Sequence, residues 1–133
     1  MAKNKKKTKS LPKLKGEAQI LFNKWIRLRD EDQPCISCGK FCESYDAGHY
    51  YATQGYDGLR FNPDNCHKEC VKCNRFDDSH LIGYGFNLEV KLGKKRYNEL
   101  IQRARDYKQS GKKWSRSEIE DLIKEYKLKI KEL

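Results

Sequence analysis

Cys35-Ile36-Ser37-Cys38-Gly39 and Cys70-Val71-Lys72-Cys73 are two matched C-x-x-C pairs, and the segment they enclose decides how this chain is read. A thiolate pair on a tight turn presents two sulfurs at the angle a tetrahedral zinc requires, so two such pairs close one site. Four thiolates leave no open position for water, so a zinc on Cys35, Cys38, Cys70 and Cys73 is expected to be structural. The competing reading is a set of free structural or redox cysteines. The gap between the pairs is longer than in compact zinc ribbons, and an insert of that length can form its own hairpin. Cys42 and Cys66 are left over and read as unpaired small hydrophobes. Cys66, four residues before Cys70, is close enough in sequence to displace an expected ligand.

The insert carries Asp46-Ala47-Gly48-His49-Tyr50, then Arg60-Phe61-Asn62, then Asn65-Cys66-His67, and Asn74 follows the last knuckle cysteine directly. Cutting a phosphodiester takes a base for water, a cation to neutralise developing charge, and groups that hold both in line. Histidine suits the first role because its pKa lies near neutrality. Carboxylate and amide oxygens suit a hard Mg²⁺. Each signal is weak alone, since a single strand histidine is more often structural and a loop asparagine more often a turn former. Tyr45, Tyr50, Tyr51 and Tyr56 crowd the same segment and divide between packing and contacts to a distorted nucleic acid. Short strands are expected near 44–51 and 58–61, with a helix entered near Cys70.

Outside this segment the pattern is helical. Ala18, Leu21, Trp25 and Leu28 recur at helical spacing from Glu17 to about Asp32, where Gln33-Pro34 ends the run. Tyr97, Leu100, Ile101 and Ala104 form a second stripe, broken at Gln109-Ser110-Gly111. Ser115 with Glu118 is a capping-box signature, and Ile119, Leu122, Ile123, Tyr126 and Ile130 follow as a third stripe. These faces read as core or as a partner-helix surface. There is no internal repeat and no Gly-rich phosphate loop.

Charge points to a polyanionic partner but is unevenly placed. The 133 residues carry a formal net charge of +10, yet residues 1–16 hold seven lysines and no acid. Without that segment 22 basic residues face 19 acidic ones, about +3 for the body. Residues 1–16 therefore read as a disordered basic tail, either solubilising or touching DNA. No apolar run approaches a membrane span and no signal-peptide core is evident, so a soluble cytosolic protein without membrane partners is expected.

Cys35-x-x-Cys38, Asp46-Ala47-Gly48-His49-Tyr50, Leu59-Arg60-Phe61-Asn62, Asn65, His67 and Cys70-x-x-Cys73-Asn74 together resemble the NinG family of lambdoid phage recombination endonucleases, over roughly residues 17–133. That family looks related to HNH, or His-Me finger, nucleases, and the two C-x-x-C pairs followed by asparagine are also similar to endonuclease VII-type Holliday junction resolvases. The resemblance implies His49 as general base and Asn65 as the residue that holds the hairpin and orients the histidine. Asn74 and Asp46 would hold the catalytic divalent ion, with His67 a competing ligand. His80 reads as a loop residue. Arg60, Lys72 and Arg75 are candidate DNA contacts. One departure stands out: common HNH nucleases place a ligand directly before the catalytic histidine, and here that place is Gly48. On a regular strand residues 46 and 49 face opposite sides, so a bulge at Gly48 would be needed to re-aim them.

The expected fold is α+β: a small ββα-metal (HNH, His-Me finger) core on a four-cysteine zinc site, flanked by N- and C-terminal helices. Its divisions would be a tail over 1–16, a helix and nuclease core over 17–80, and a helical region over 81–133. The implied function is Mg²⁺- or Mn²⁺-dependent cleavage of branched DNA (Holliday junctions, D-loops) in phage recombination. It would act in the bacterial host cytoplasm, as a homodimer and without a small-molecule cofactor. The alternatives are a non-catalytic zinc-knuckle DNA-binding accessory protein and a restriction-type HNH nuclease.

Overall fold

Ser10 begins the first helix, in a computed structural model that describes residues 8–133. Its side chain accepts a hydrogen bond from the Lys13 N–H at 3.3 Å, and Pro12 sits in the first turn, where a missing N–H costs nothing. Helix α1 (Leu11–Arg29) thus starts at Leu11 and not at Glu17. The expected disordered tail over 1–16 is corrected for residues 11–16, because Leu11 and Leu14 pack against the core despite the lysines between them. Residues 1–7 of that tail lie outside the described residues.

Strand β1 (Tyr45–His49) falls where a strand was expected, but the second strand does not. Residues near 58–61 form 3-10 turns, Asp57–Leu59 and Pro63–Asn65, the second capped by the Asn62 side chain accepting from the Asp64 N–H at 2.9 Å. Strand β2 is Cys66–Cys70 and pairs antiparallel with β1, Tyr45 opposite Cys70 and His49 opposite Cys66. The register runs without a bulge through Gly48. The bulge that could re-aim them is absent, and Asp46 and His49 keep opposite faces.

Helix α2 (Val71–Phe76) follows β2 directly, then α3 (His80–Leu92), α4 (Lys94–Ser110) and α5 (Arg116–Lys131). Gly93, at φ 81°, makes the left-handed turn between α3 and α4. The capping box opens α5 as read: Glu118 N–H donates to Ser115 Oγ at 3.1 Å, and Ser115 N–H donates to Glu118 Oε1 at 3.0 Å.

The hairpin is covered on both faces. On one face Ala47 and Cys66 pack with Ala18, Phe22 and Ile26 of α1 and Ile119 and Tyr126 of α5. On the other, the buried Tyr84 hydroxyl of α3 donates to the Gly48 carbonyl, and Tyr84 packs with Ile36, Leu88, Leu92 and Leu100. The result is a mixed α+β fold with a two-stranded sheet.

A buried ion pair ties these layers. The Asp30 carboxylate, 2% exposed, accepts from Arg29 Nε at 2.8 Å and Nη2 at 2.9 Å and from the Lys68 N–H of β2 at 3.0 Å. Lys91 of α3 lies 3.0 Å away. The Arg29 guanidinium continues to the Pro63 and Cys66 carbonyls and to His67 Nδ1. These cations hold the Asp30 carboxyl well below the usual carboxylate range against the cost of burial. Burial pushes the His67 imidazole down to about 3.

Two outcomes follow. Asp30→Ala leaves Arg29 and Lys91 uncompensated and should cost about 3–5 kcal/mol in denaturant unfolding; a loss under 1 kcal/mol would refute the hub. His67 stays neutral when folded but takes a proton when unfolded below about 6.5, the ordinary histidine value. Its contribution is complete above that pH and is lost as pH falls toward 3. Unfolding free energies between pH 7 and 4 should therefore fall more steeply in the wild type than in His67→Asn.

Candidate functional site

The four knuckle cysteines converge. The Sγ atoms of Cys35, Cys38, Cys70 and Cys73 all lie within 4.8 Å of one another. Sulfurs at the corners of a zinc tetrahedron, each at the usual zinc–thiolate length, sit about 3.8 Å apart, so the group needs only slight contraction to hold such an ion. Local turns aim the sulfurs inward. Cys38 N–H points to Cys35 Sγ at 3.5 Å, Cys73 N–H to Cys70 Sγ at 3.4 Å, and Cys70 N–H to Cys35 Sγ at 3.2 Å. Four close cysteines of this chemistry could hold a metal such as zinc. Cys42 lies half-buried beside the group, and Cys66 is buried in the α1–α5 core, where desolvation pushes its thiol up.

The same knuckle places Asn74. It lies on α2 directly after Cys73, and its Nδ2 donates to Asp46 Oδ2 at 2.9 Å. Arg75 adds a two-pronged contact, Nε to Oδ2 at 2.9 Å and Nη2 to Oδ1 at 2.8 Å, and this guanidinium chiefly holds the Asp46 carboxyl low. Asp46 and Asn74 are thus brought together as sequence reasoning grouped them, and Arg75 fills the space beside them.

His49 stands apart from that pair. It shares the α1 face of the hairpin, with its ring stacked on Phe22 at 6.2 Å. Nε2 meets the Arg60 carbonyl at 2.9 Å, and Nδ1 lies 3.8 Å from Cys66 Sγ. Burial lowers its pKa, so the imidazole is neutral at neutral pH. Asn65, fully buried, pins the connection that carries Arg60: Oδ1 accepts from the Tyr51 N–H at 2.8 Å, and Nδ2 donates to the Tyr51 and Leu59 carbonyls.

The remaining candidates separate. His67 has both ring nitrogens engaged, by Arg29 at 3.1 Å and the Asp64 carbonyl at 2.9 Å, and does not join Asp46 and Asn74. Arg60 Nε is paired with Asp57 at 2.7 Å. Lys72 is exposed on the first turn of α2. Of the tyrosines, Tyr50, Tyr51 and Tyr56 form an aromatic chain with Tyr84 and Tyr107, which is packing.

Sequence reasoning missed Glu69. It is fully buried on the face that carries Asp46, where its Oε2 accepts from Ser37 Oγ and meets His80 Nδ1. A Cβ on Gly48 would come within 2.1 Å of Glu69 Oε1, so Gly48 is there for close approach and not for a bulge. The residue directly opposite Glu69 is Asp46, and Gly48, its diagonal neighbour on that face, stands opposite His67. His80, read as a loop residue, opens α3 and anchors it to β2.

The whole chain, residues 1–133, matches the family model described as Bacteriophage Lambda NinG protein. It is 36% identical over 118 residues to protein ninG of Escherichia phage lambda, covering 88% of this chain and 55% of that protein. The corresponding figures for protein ninG of Salmonella phage P22 are 37% over 118 residues, 88% and 56%. For Enterobacteria phage H19B they are 40% over 85 residues, 63% and 42%. The chain spans about half the length of the first two relatives. No solved structure matches it. With the match running the full length, through both cysteine pairs and the hairpin between them, the chain belongs to the NinG family of lambdoid phage proteins.

Proposed function

We propose that this protein is a zinc-stapled, divalent-metal-dependent DNA endonuclease of the HNH, or His-Me finger, kind. Its substrate would be branched recombination intermediates such as Holliday junctions and D-loops, in the cytoplasm of the phage host. The observation that carries the proposal is Asn74 against Asp46 at 2.9 Å on a hairpin followed at once by a helix, the order of a ββα-metal core.

Zinc on Cys35, Cys38, Cys70 and Cys73 would be structural, for four thiolates leave no site for water. A Mg²⁺ or Mn²⁺ ion would take the Asp46 carboxylate and, after a flip of its amide, the Asn74 oxygen, with waters completing the shell. Arg75 would then leave Asp46 and turn to phosphate. The chemistry such an ion supplies is neutralisation of charge on the phosphate and the departing oxygen. His49 would take the proton from the attacking water. Donation of Nε2–H to the Arg60 carbonyl leaves Nδ1 as the basic nitrogen, and Asn65, donating to the neighbouring Leu59 carbonyl, steadies the segment that carries Arg60. Lys72 and Arg75 are the exposed cations proposed for phosphate contacts.

Two observations favour the second reading, a non-catalytic DNA-binding accessory protein. Asp46 is occupied by Arg75, and the regular strand sets His49 on the opposite face.

Two measurements decide. Purified protein should contain one zinc per chain; Cys73→Ser or strong chelation should remove it and abolish cooperative unfolding. Retention of the native transition without metal would sink the staple. His49→Ala should lower cleavage of a four-way DNA junction by about 10²–10⁴-fold with binding retained, and Asp46→Ala should do likewise. Because burial lowers the His49 pKa, the protonated, inactive form appears only below the ordinary histidine value of about 6.5. Activity should rise with pH through that lower value and be level by neutrality. A wild-type protein that binds junctions and never cuts them, at any Mg²⁺ or Mn²⁺ concentration, establishes the second reading.

A further inference from the structure

Cys42 stands beside the four-cysteine group as a fifth sulfur, and its surroundings are not those of a core residue. It packs against the cluster of Cys35, Cys70 and Cys73, and its thiol adjoins those of Cys70 and Cys38. Cys38, Cys42, Cys70 and Cys73 line one open cleft together with Lys40 and Lys72. Cys66, the other spare cysteine, differs: it is buried in the core cluster that holds Phe22, Ile26 and Tyr126. A small hydrophobe is a sufficient account of Cys66. It is not one of a thiol that faces other thiols across a cleft.

The four knuckle cysteines are not equally secured. Cys35 Sγ meets the N–H groups of Cys38 and Cys70, and Cys70 Sγ meets that of Cys73. Cys70 ends β2 and Cys73 lies on α2, so both sit on regular elements. Cys35, Cys70 and Cys73 are buried, whereas Cys38 is exposed. Cys42 follows Cys38 across the left-handed turn at Gly39 (φ 73°), on an irregular stretch that runs to β1. Backbone bonds tie that stretch at its two ends, the Lys40 carbonyl accepting from the Cys35 N–H and the Ser44 carbonyl from the Val71 N–H. Between them the Cys42 N–H donates to the Tyr45 hydroxyl, and Cys42 Sγ has only a weak contact, at 3.7 Å, to the Lys40 carbonyl. The Cys42 sulfur lies outside the set that is mutually within 4.8 Å, so it reaches a ligand position only when this stretch shifts.

We propose that Cys38 and Cys42 are alternative fourth ligands of one metal ion, with Cys35, Cys70 and Cys73 the fixed three. This rests on the zinc reading of the knuckles and not on the nuclease. In the exchange the Cys42 thiol gives its proton to solvent as its sulfur binds. The Cys38 sulfur leaves and takes a proton up, so the number of bound thiolates and the charge at the ion are unchanged. Each arrangement leaves one free thiol at the cleft. An exposed cysteine is the one that alkylating and oxidising agents reach first, and a second cysteine in reserve keeps the metal when the first is lost.

Two measurements on the full chain test this. Zinc-loaded wild type, treated with iodoacetamide and mapped by mass spectrometry, should carry a single label in the cleft, divided between Cys38 and Cys42, because whichever sulfur is unbound reacts. Label confined to either one, or present on neither, overturns the proposal. Co²⁺ binding, read from the thiolate-to-metal absorption with a competing chelator, provides the second. Cys38→Ser and Cys42→Ser should each keep a four-sulfur spectrum and bind within about tenfold of wild type. The double variant should lose that spectrum and bind more than about 100-fold more weakly, beyond the cost of removing a mere neighbour of the ligands. Cys38→Ser as weak as the double variant, or a double variant with four sulfurs still on the ion, overturns the exchange and leaves the zinc reading standing. A wild type that binds neither Zn²⁺ nor Co²⁺ overturns both.

Discussion

The Asp30 carboxylate, buried at the end of α1, is the interaction on which the layers depend. It receives a backbone N–H from β2, two guanidinium hydrogens from Arg29 and the ammonium of Lys91 on α3. Removing charges from water is expensive, and the arrangement persists only because every partner is supplied at once. Arg29 has the same character, since its remaining hydrogens reach the Pro63 and Cys66 carbonyls at the entry to β2. One ion pair therefore sets where the second strand begins, how α1 crosses it and how α3 lies over it.

The four-cysteine group fixes the opposite end of the hairpin. Cys35 and Cys38 precede β1, and Cys70 is both the last residue of β2 and the N-cap of α2. Closing the sulfurs on one ion would stop the strand ends from fraying and hold the first turn of α2 against β1. Asn74 then has little freedom, and its contact to Asp46 is a consequence of the knuckle as much as of its own hydrogen bond. The Asp30 hub positions β2, the cysteines position α2, and the Asp46–Asn74 pair lies where the two constraints meet.

The parts of this fold legible in the sequence are those with a local signature. The C-x-x-C pairs, the Ser115–Glu118 box and the apolar stripe of α5 each rest on residues near one another in the chain. Strand β2 had no such signature. Cys66-His67-Lys68-Glu69-Cys70 contains no aliphatic residue, yet all five are buried, because each polar side chain finds a distant partner: Arg29 for His67, Glu31 for Lys68, and Ser37 with His80 for Glu69. Alternation of apolar and polar residues is the ordinary strand signal, and tertiary pairing replaced it here. The start of α1 was hidden similarly, since Leu11 and Leu14 sit among lysines whose stems tolerate a partly buried face.

Gly48 links these themes. A side chain there would collide with Glu69, so the glycine allows a buried carboxylate to cross the strand and reach Ser37 and His80 on other elements. The register is regular through Gly48, which sets Asp46 on the α3 face and His49 on the α1 face. The two polar groups most suited to phosphodiester chemistry are therefore coupled through the strand and not by direct contact. Each is oriented by a different support, Asp46 by α2 and His49 by the Asn65-pinned connection. Under the proposed nuclease function, a substrate engaging both would have to reach around the hairpin edge, beside which Lys72 and Arg75 of α2 are exposed. On this geometry, the supports can be altered one at a time, so the contribution of each half of the site is separable.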